Sequence, residues 1–232
     1  MHQNHLTELL SDIKARRPAA LVTWLDTNEQ QLLHIDDLTD KQSPLAQALS
    51  EGFRSNRSRT IEIHNREAFL HIYNPSLRMV VIGAVHITQA LAPMARQAGY
   101  ELTVIDPRTA FATKERFRDI NLDARWPDEA LPEIKLDART TFIALTHDPK
   151  IDDPALTIAL ASDVFYIGAL GGRRTNAKRI DRLSTQGIDE TTLKRINAPV
   201  GLDIGAVGAV EIAVSILAEV TAALHGKLEQ FS

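Results

Sequence analysis

Gly171-Gly172-Arg173-Arg174-Thr175 is the stretch with the most explicit chemistry. Two glycines let a backbone come close to a ligand, a helix start leaves amide N–H groups free, and two arginines add fork-shaped donors. The combination predicts an anion site, for phosphate above all. Three further polar clusters are candidates: Gly83 to His86, Asp106-Pro107-Arg108, and Thr146-His147-Asp148. The helix dipole disfavours His86 as a cation, so it either meets a phosphate as a neutral donor or caps its turn. Asp106 or Arg108 suits a ribose or its phosphate. His147 and Asp148 resemble an acid/base pair, but neighbours on an extended chain point apart. Asp148 can also simply cap the turn before Pro149. Asp203, with Gly205, leads into the last helix and either caps it or reaches the ligand rim.

These clusters need a scaffold, and the pattern around Gly83 names one. Residues 79–82 are apolar and partly β-branched, as a strand buried on both faces requires. Ile87, Ala90, Leu91, Met94, Ala95 and Ala98 then recur at helical spacing, and Gly99 stands where a helix ends. A second apolar run, 102–105, closes on Asp106. Strand, turn, helix and strand with an acidic residue about twenty positions past the turn is a mononucleotide-binding half. The loop itself reads Gly83-Ala84-Val85-His86, so Val85 stands where a dinucleotide fingerprint has its second glycine, and NAD(P) is disfavoured on that ground.

Further alternation follows: a helix or loop over 111–118, a helix over 127–134, a strand over 140–146, a helix over 155–161 and a strand over 164–168. The helix after Gly172 is expected to turn Ile180 and Leu183 inward and Arg174, Lys178, Arg179 and Arg182 outward. A helix over 188–196, an extended segment over 199–204 and a closing helix over 207–224 complete it. The fold class expected is α/β, a Rossmann-like, doubly wound, mostly parallel sheet over 77–226, which places the four clusters on one rim at the strands' carboxyl ends. Residues 1–75 read as a small α+β unit: a helix over 6–14, strand-like runs at 20–25, 31–35, 60–64 and 69–73, and a helix through Leu45, Leu49 and Phe53. Its histidines His34, His64 and His71 have no second ligand at metal spacing, and no metal site is expected.

At 232 residues, 44% hydrophobic and 24% charged, the chain has ample material for such a core and a small companion. A net charge of −4 argues against a general nucleic-acid binder. The absence of cysteine excludes disulfides, zinc–thiolate sites, thiol catalysis and a persulfide carried on this chain. The longest apolar stretch, 207–224, carries Glu211, Ser215 and Glu219 on one helical stripe, which makes it a packed helix and no membrane span. With no apolar signal core near the N-terminus, the expected location is cytoplasmic.

Several blocks together resemble the xanthine dehydrogenase accessory factor (XdhC/CoxI) family, of which this looks like a short, divergent member. They are Val81-Ile82-Gly83-Ala84-Val85-His86 with Ala90-Leu91, Val104-Ile105-Asp106-Pro107-Arg108, Leu145-Thr146-His147-Asp148-Pro149-Lys150 with Asp152, Tyr166-Ile167-Gly168-Ala169-Leu170-Gly171-Gly172-Arg173-Arg174-Thr175, Pro199-Val200-Gly201-Leu202-Asp203-Ile204-Gly205-Ala206, and the tail from Glu211 to Glu219. The resemblance implies a molybdenum-cofactor chaperone. Such a protein binds the cofactor as molybdopterin or its dinucleotide form, protects it during sulfuration by a cysteine desulfurase, and passes it to a xanthine-dehydrogenase-type or CO-dehydrogenase-type apoenzyme. It implies a non-catalytic accessory protein, and the cofactor contacts expected are the rim candidates Gly83, His86, Asp106, Arg108, His147, Asp148, Gly171, Gly172, Arg173, Arg174 and Asp203. A homodimer is among the assemblies it allows. Two departures stand out: Val85 replaces the second glycine of the family loop, and residues 1–75 lack the family's Ser-Gly-Gly-Cys segment, which turns that unit toward partner docking. The competing readings are an NAD(P)-linked oxidoreductase, with His86 or His147 as acid, and a scaffold that only bridges a maturation complex.

Overall fold

The computed structural model describes residues 3–231, which divide into two compact units meeting at Pro75 and Ser76. The first contains α1 (Gln3–Ala15), β1 (Ala19–Trp24), β2 (Gln30–Leu33), α2 (Pro44–Ser55), β3 (Arg59–Ile63) and β4 (Arg66–Tyr73). Its four strands form an antiparallel sheet in the order β2-β1-β4-β3. Ala20, Val22, Ala68, Leu70 and Ile72 point to one face and pack on Leu49 of α2, the period-two pattern of a core-facing strand side, while Ala19 and Leu21 on the opposite face of β1 are buried as well. Helix α2 starts at Ser43, whose hydroxyl accepts from the Ala46 amide at 3.2 Å, with Pro44 in the first turn; it ends at Asn56 in the left-handed region. The β3–β4 turn is made by His64 and Asn65 at φ 51° and 61°, so Arg66 and Glu67, expected in the connection, belong to the strand.

His34, expected in strand-like sequence, sits instead in the turn after β2 and is 5% exposed. Its Nε2 meets Asp12 Oδ2 at 2.8 Å and its Nδ1 meets Asp37 Oδ2 at 2.6 Å, while Arg17 donates to the other oxygen of Asp12 at 2.7 Å. Glu8 brings a third ligand atom near Asp12 and His34, but both ring nitrogens and both Asp12 oxygens already have partners. Burial pulls the imidazole down, yet the bonds to Asp12 and Asp37 outweigh it and hold its pKa above the ordinary value of 6.5. Burial likewise pushes Asp12 up, and His34 and Arg17 outweigh that to hold it low. Histidine's contribution to stability is therefore complete below pH 6.5 and is lost as pH rises through the raised value. Asp12 contributes above its unfolded pKa of 3.8, and that is lost in acid. The first unit is expected to be most stable between those limits. Urea titrations followed by Trp24 fluorescence in a Trp126→Phe background should show the midpoint falling on the alkaline side. His34→Gln should flatten that side.

The second unit contains β5 (Leu77–Ile82), α3 (His86–Gln97), β6 (Tyr100–Ile105), β7 (Asn121–Asp123), α4 (Pro127–Ile134), β8 (Thr140–Ala144), α5 (Pro149–Leu160), β9 (Tyr166–Ala169), α6 (Arg173–Thr185), α7 (Glu190–Leu193), β10 (Ile196–Asn197) and α8 (Ala209–Leu224). The sheet runs β10-β9-β8-β5-β6-β7 with every pair parallel. Counted from β5 within this unit, the order is the doubly wound one, with its reversal between β5 and β8. Val80, Ile82, Phe142, Ala144, Ile167 and Ala169 face α4, α5 and α6. Met79, Val81, Ile143, Leu145 and Tyr166 face α3 and α8. Among the described residues no helix is long and apolar enough to cross a membrane.

Three local expectations are corrected. The helix over 188–196 shrinks to α7, capped by Asp189 on the Thr192 amide, and Ile196–Asn197 becomes the sixth strand. Arg195 explains the change: its guanidinium donates to the carbonyls of Leu160, Ser162 and Val164 at 2.8–3.0 Å, which pins the segment to the sheet edge. The closing helix begins at Ala209, leaving Val207 in the preceding loop and 87% exposed. Arg179, expected outward, is 2% exposed. It lies three residues after Asn176 and four before Leu183, on the face α6 turns to the sheet, and donates to Asn176 Oδ1 and to the Leu170 carbonyl. Arg182 bends onto Asp153 at 2.5 and 3.0 Å.

Candidate functional site

All the sequence-derived site residues lie at the carboxyl ends of the strands, but they do two different jobs. One group builds the loops. Gly83 has φ +118°, and a Cβ there would lie 3.0 Å from Thr146 Cγ2, so the β5 loop can touch the β8 loop only through glycine. Asp106 is 0% exposed and fully engaged. Its Oδ2 accepts from the Ala84 amide at 2.7 Å, its Oδ1 from the Arg108 amide at 3.0 Å, and the Arg108 guanidinium clamps both oxygens at 2.9 and 2.8 Å. Burial pushes the Asp106 carboxyl up, but Arg108 and the two amides outweigh it and keep it below the usual carboxylate range. An acid meant for a ribose hydroxyl is thus already committed to its own loop. His86 opens α3, exposed, after an N-cap, Val85, whose side chain makes no capping bond. Asp148 caps α5, accepting from the Lys150 amide at 3.0 Å.

Asp152 entered the sequence reading only as part of a family block, with no site role of its own, yet it shapes the β8–α5 loop. Its carboxyl, 1% exposed, accepts from the Thr146 hydroxyl at 2.6 Å and the His147 amide at 3.0 Å. Burial raises its pKa against those bonds. The strand of β8 thus ends in a fixed turn in which His147 takes φ 64° and stays exposed.

The second group lines a cleft of 630 Å³ on the β9–β10 side of the rim, a size that suits a small organic ligand. Of the residues expected, it is lined by His147, Gly171, Gly172, Arg173 and Asp203. Gly83, His86, Asp106, Arg108, Asp148 and Arg174 are not among its walls. One end is a donor surface. Gly171 has φ +128°, and a Cβ on it would meet Thr175 Cγ2 at 2.9 Å; a Cβ on Gly172 would meet nothing. The first main-chain bond of α6 runs from the Asn176 amide to the Gly172 carbonyl, so the amides of Arg173, Arg174 and Thr175 precede the intrahelical ladder and face outward from a helix start. Behind the loop lies the buried Arg179, donating to the Leu170 carbonyl at 2.8 Å. Burial lowers its pKa, while Asp152 and Asp153 oppose the fall.

The other end is built by α8 and the 199–206 segment. Glu219, 8% exposed, accepts on Oε2 from the Gly201 amide at 2.6 Å and from the Tyr166 hydroxyl. Burial first, and the Glu219 charge second, raise the Tyr166 pKa well above its ordinary value, which keeps the phenol a donor. Gly201 has φ +97°, and a Cβ on it would lie 2.3 Å from Ser215 Oγ, so the segment can lie this close to α8 only because that residue is glycine. Glu219 was read from sequence only as a polar member of a packed helix. Its bond partner Tyr166 is 53 positions away, a separation that hides the pair from any local pattern.

The comparisons with known proteins agree with this architecture. Residues 79–220 match the XdhC Rossmann domain. The chain is 30% identical over 153 residues to a probable xanthine dehydrogenase subunit of Bacillus subtilis, covering 66% of this chain and 44% of that protein. It is 30% identical over 148 residues to the molybdenum cofactor insertion chaperone PaoD of Escherichia coli, covering 64% and 40%. It spans less than half the length of the curated relatives it matches. The crystal structure of a xanthine dehydrogenase from Bacillus halodurans aligns with a TM-score of 0.64 and 22% identity over 99% of this chain and 66% of that one, a likeness of fold. Because the domain match extends over more than half of its residues, this chain belongs to the XdhC family.

Proposed function

We propose that this protein binds the molybdenum cofactor in the 630 Å³ cleft and hands it to a molybdenum hydroxylase apoenzyme. The observation that carries the reading is the cleft's construction: an anion cradle at Gly171-Gly172-Arg173 opposite a buried wall from α8, on a chain 30% identical to a relative named as an insertion chaperone. The residues fit a phosphorylated pterin. The Gly171 turn leaves no room for a side chain against Thr175, and three amides at the α6 start stand ready for phosphate oxygens. Leu170, Val200, Leu202, Ile204 and Ile212 give the cleft apolar walls for a ring system. When bound, the cofactor supplies redox chemistry to the enzyme that receives it; this chain's own residues hold the phosphate, orient the ring and keep water off it.

The enzyme alternative finds little support at the β5 loop. A nicotinamide dinucleotide would need Asp106 for its ribose, and Arg108 with two amides already fills that carboxylate. Sulfur, where it is added to the cofactor, comes from a second protein, because the chain has no cysteine to carry a persulfide; a cysteine desulfurase is the partner that chemistry asks for. The test is what the protein carries. Purified without oxygen from cells making the cofactor, then oxidised, it is expected to release a fluorescent pterin in near-stoichiometric amount and to reconstitute a molybdenum hydroxylase apoenzyme. A preparation that carries no pterin and takes none up from a cofactor-loaded donor would sink the proposal.

A further inference from the structure

We infer that Glu219 reads the ring end of the cleft ligand, accepting N–H bonds from a heterocycle with an aminopyrimidinone edge. The inference rests on the cleft being the ligand site. Glu219 lies on the buried face of α8 between Ile216 and Val220, both 0% exposed. Its Oε2 is saturated by the Tyr166 hydroxyl and the Gly201 amide. No described residue donates to its Oε1, and no lysine or arginine among the described residues pairs with it, although the side chain lines the cleft. Oε1 opens to the cleft and is not sealed in the core, so this carboxylate keeps one oxygen free to accept from ligand donors.

The neighbouring group points the same way. Ser215 also lines the cleft, and its hydroxyl proton is spent on the Ile212 carbonyl at 2.9 Å, which leaves oxygen lone pairs for the ligand. The cleft is therefore polarised, with donors at the α6 start and acceptors at Glu219 and Ser215. A ligand complementary to it carries an anion at one end and adjacent N–H donors at the other. The ring N–H and exocyclic amine of a pterin or guanine present two donors side by side. The adenine edge presents a donor beside an acceptor, whose lone pair would face Glu219 or Ser215. A site built to accept rejects such a partner strongly.

The experiment measures binding of 6-hydroxymethylpterin phosphate, GMP and AMP to the full chain, by fluorescence quenching for the pterin and by calorimetry for the nucleotides. Wild type should bind the pterin phosphate and GMP more tightly than AMP. Glu219→Gln turns an acceptor into a donor and should weaken the pterin phosphate and GMP by about 10- to 100-fold while leaving AMP unchanged or improved. Ser215→Ala, which leaves the helix backbone undisturbed, should weaken the first two by a smaller factor and spare AMP, and it serves if Glu219→Gln fails to fold. Equal loss for all three ligands, an unchanged preference in both variants, or a wild type indifferent between GMP and AMP would overturn the inference. Its failure is separable from failure of the function. Cofactor that still co-purifies with Glu219→Gln at wild-type occupancy removes Glu219 and keeps the chaperone, whereas Glu219-dependent GMP binding without any cofactor uptake does the reverse.

Discussion

Replacing Arg173 and Arg174 together by alanine is expected to weaken a phosphorylated ligand about 100-fold, with no comparable loss of stability. Bonds to charged groups contribute about 1.5–3 kcal/mol each, the lower end applies to an exposed guanidinium, and two fork donors of Arg173 then give about 3 kcal/mol, roughly 100-fold. The geometry also divides the effect. Arg173 lines the cleft and Arg174 does not, so Arg173→Ala alone should account for most of the loss and Arg174→Ala for little. The cradle of glycine and helix amides is untouched in either variant, so some affinity for phosphate persists. Calorimetric titration with 6-hydroxymethylpterin phosphate, beside thermal melts, checks both halves. A larger loss from Arg174→Ala, or undiminished affinity in the double variant, would move the anion site off this loop.

The contrast with Arg179 explains what the sequence could and could not disclose. Arg173 reads as part of the anion loop, and Arg174, Lys178, Arg179 and Arg182 as one outward helix surface. In the folded unit Arg173 lines a cleft, Arg179 is buried behind it and Arg182 is tied to Asp153. Helical spacing could place Arg179 on the Leu183 face, but a charge on a core face is normally read as an outward side chain. What makes the burial tolerable is the Leu170 carbonyl and the field of Asp152 and Asp153, which come from other strands and helices. The βαβ unit from Leu77 to Asp106 was legible because its strands are continuous apolar runs and its helix is periodic. Strands β7 and β10 were not, since three and two residues carry no pattern of their own. Both are strands only because a formed sheet edge is there to receive them. The acceptor end of the cleft was hidden for a similar reason: Ser215 and Glu219 share one stripe of α8, but Tyr166 and Gly201 are distant in the chain and meet them only after β9 and α8 have packed.

Asp106→Ala is expected to be the most destabilising single change on the rim, costing about 3–5 kcal/mol, because it breaks a buried pair and strands the partners. The methyl group left behind cannot accept from the Ala84 amide, the Arg108 amide or the Arg108 guanidinium. Ala84 is buried at the start of the β5–α3 loop, so its amide has no water to turn to. Asp106→Asn should cost less, since an amide oxygen can still accept one of those bonds, but its NH₂ group would face the donors that the second oxygen now serves. The pH dependence carries the same signature. The carboxyl is held below its ordinary value of 3.8, so its contribution is present above that pH and is lost as pH falls toward the depressed value. Urea titrations at neutral pH and in acid should show the wild type losing stability in acid more steeply than either variant. Were Asp106 instead an open ligand group, Asp106→Ala would leave the urea midpoint nearly unchanged and appear only in binding. The observed clamp on both oxygens requires the opposite result, a large stability loss that precedes any effect on ligand.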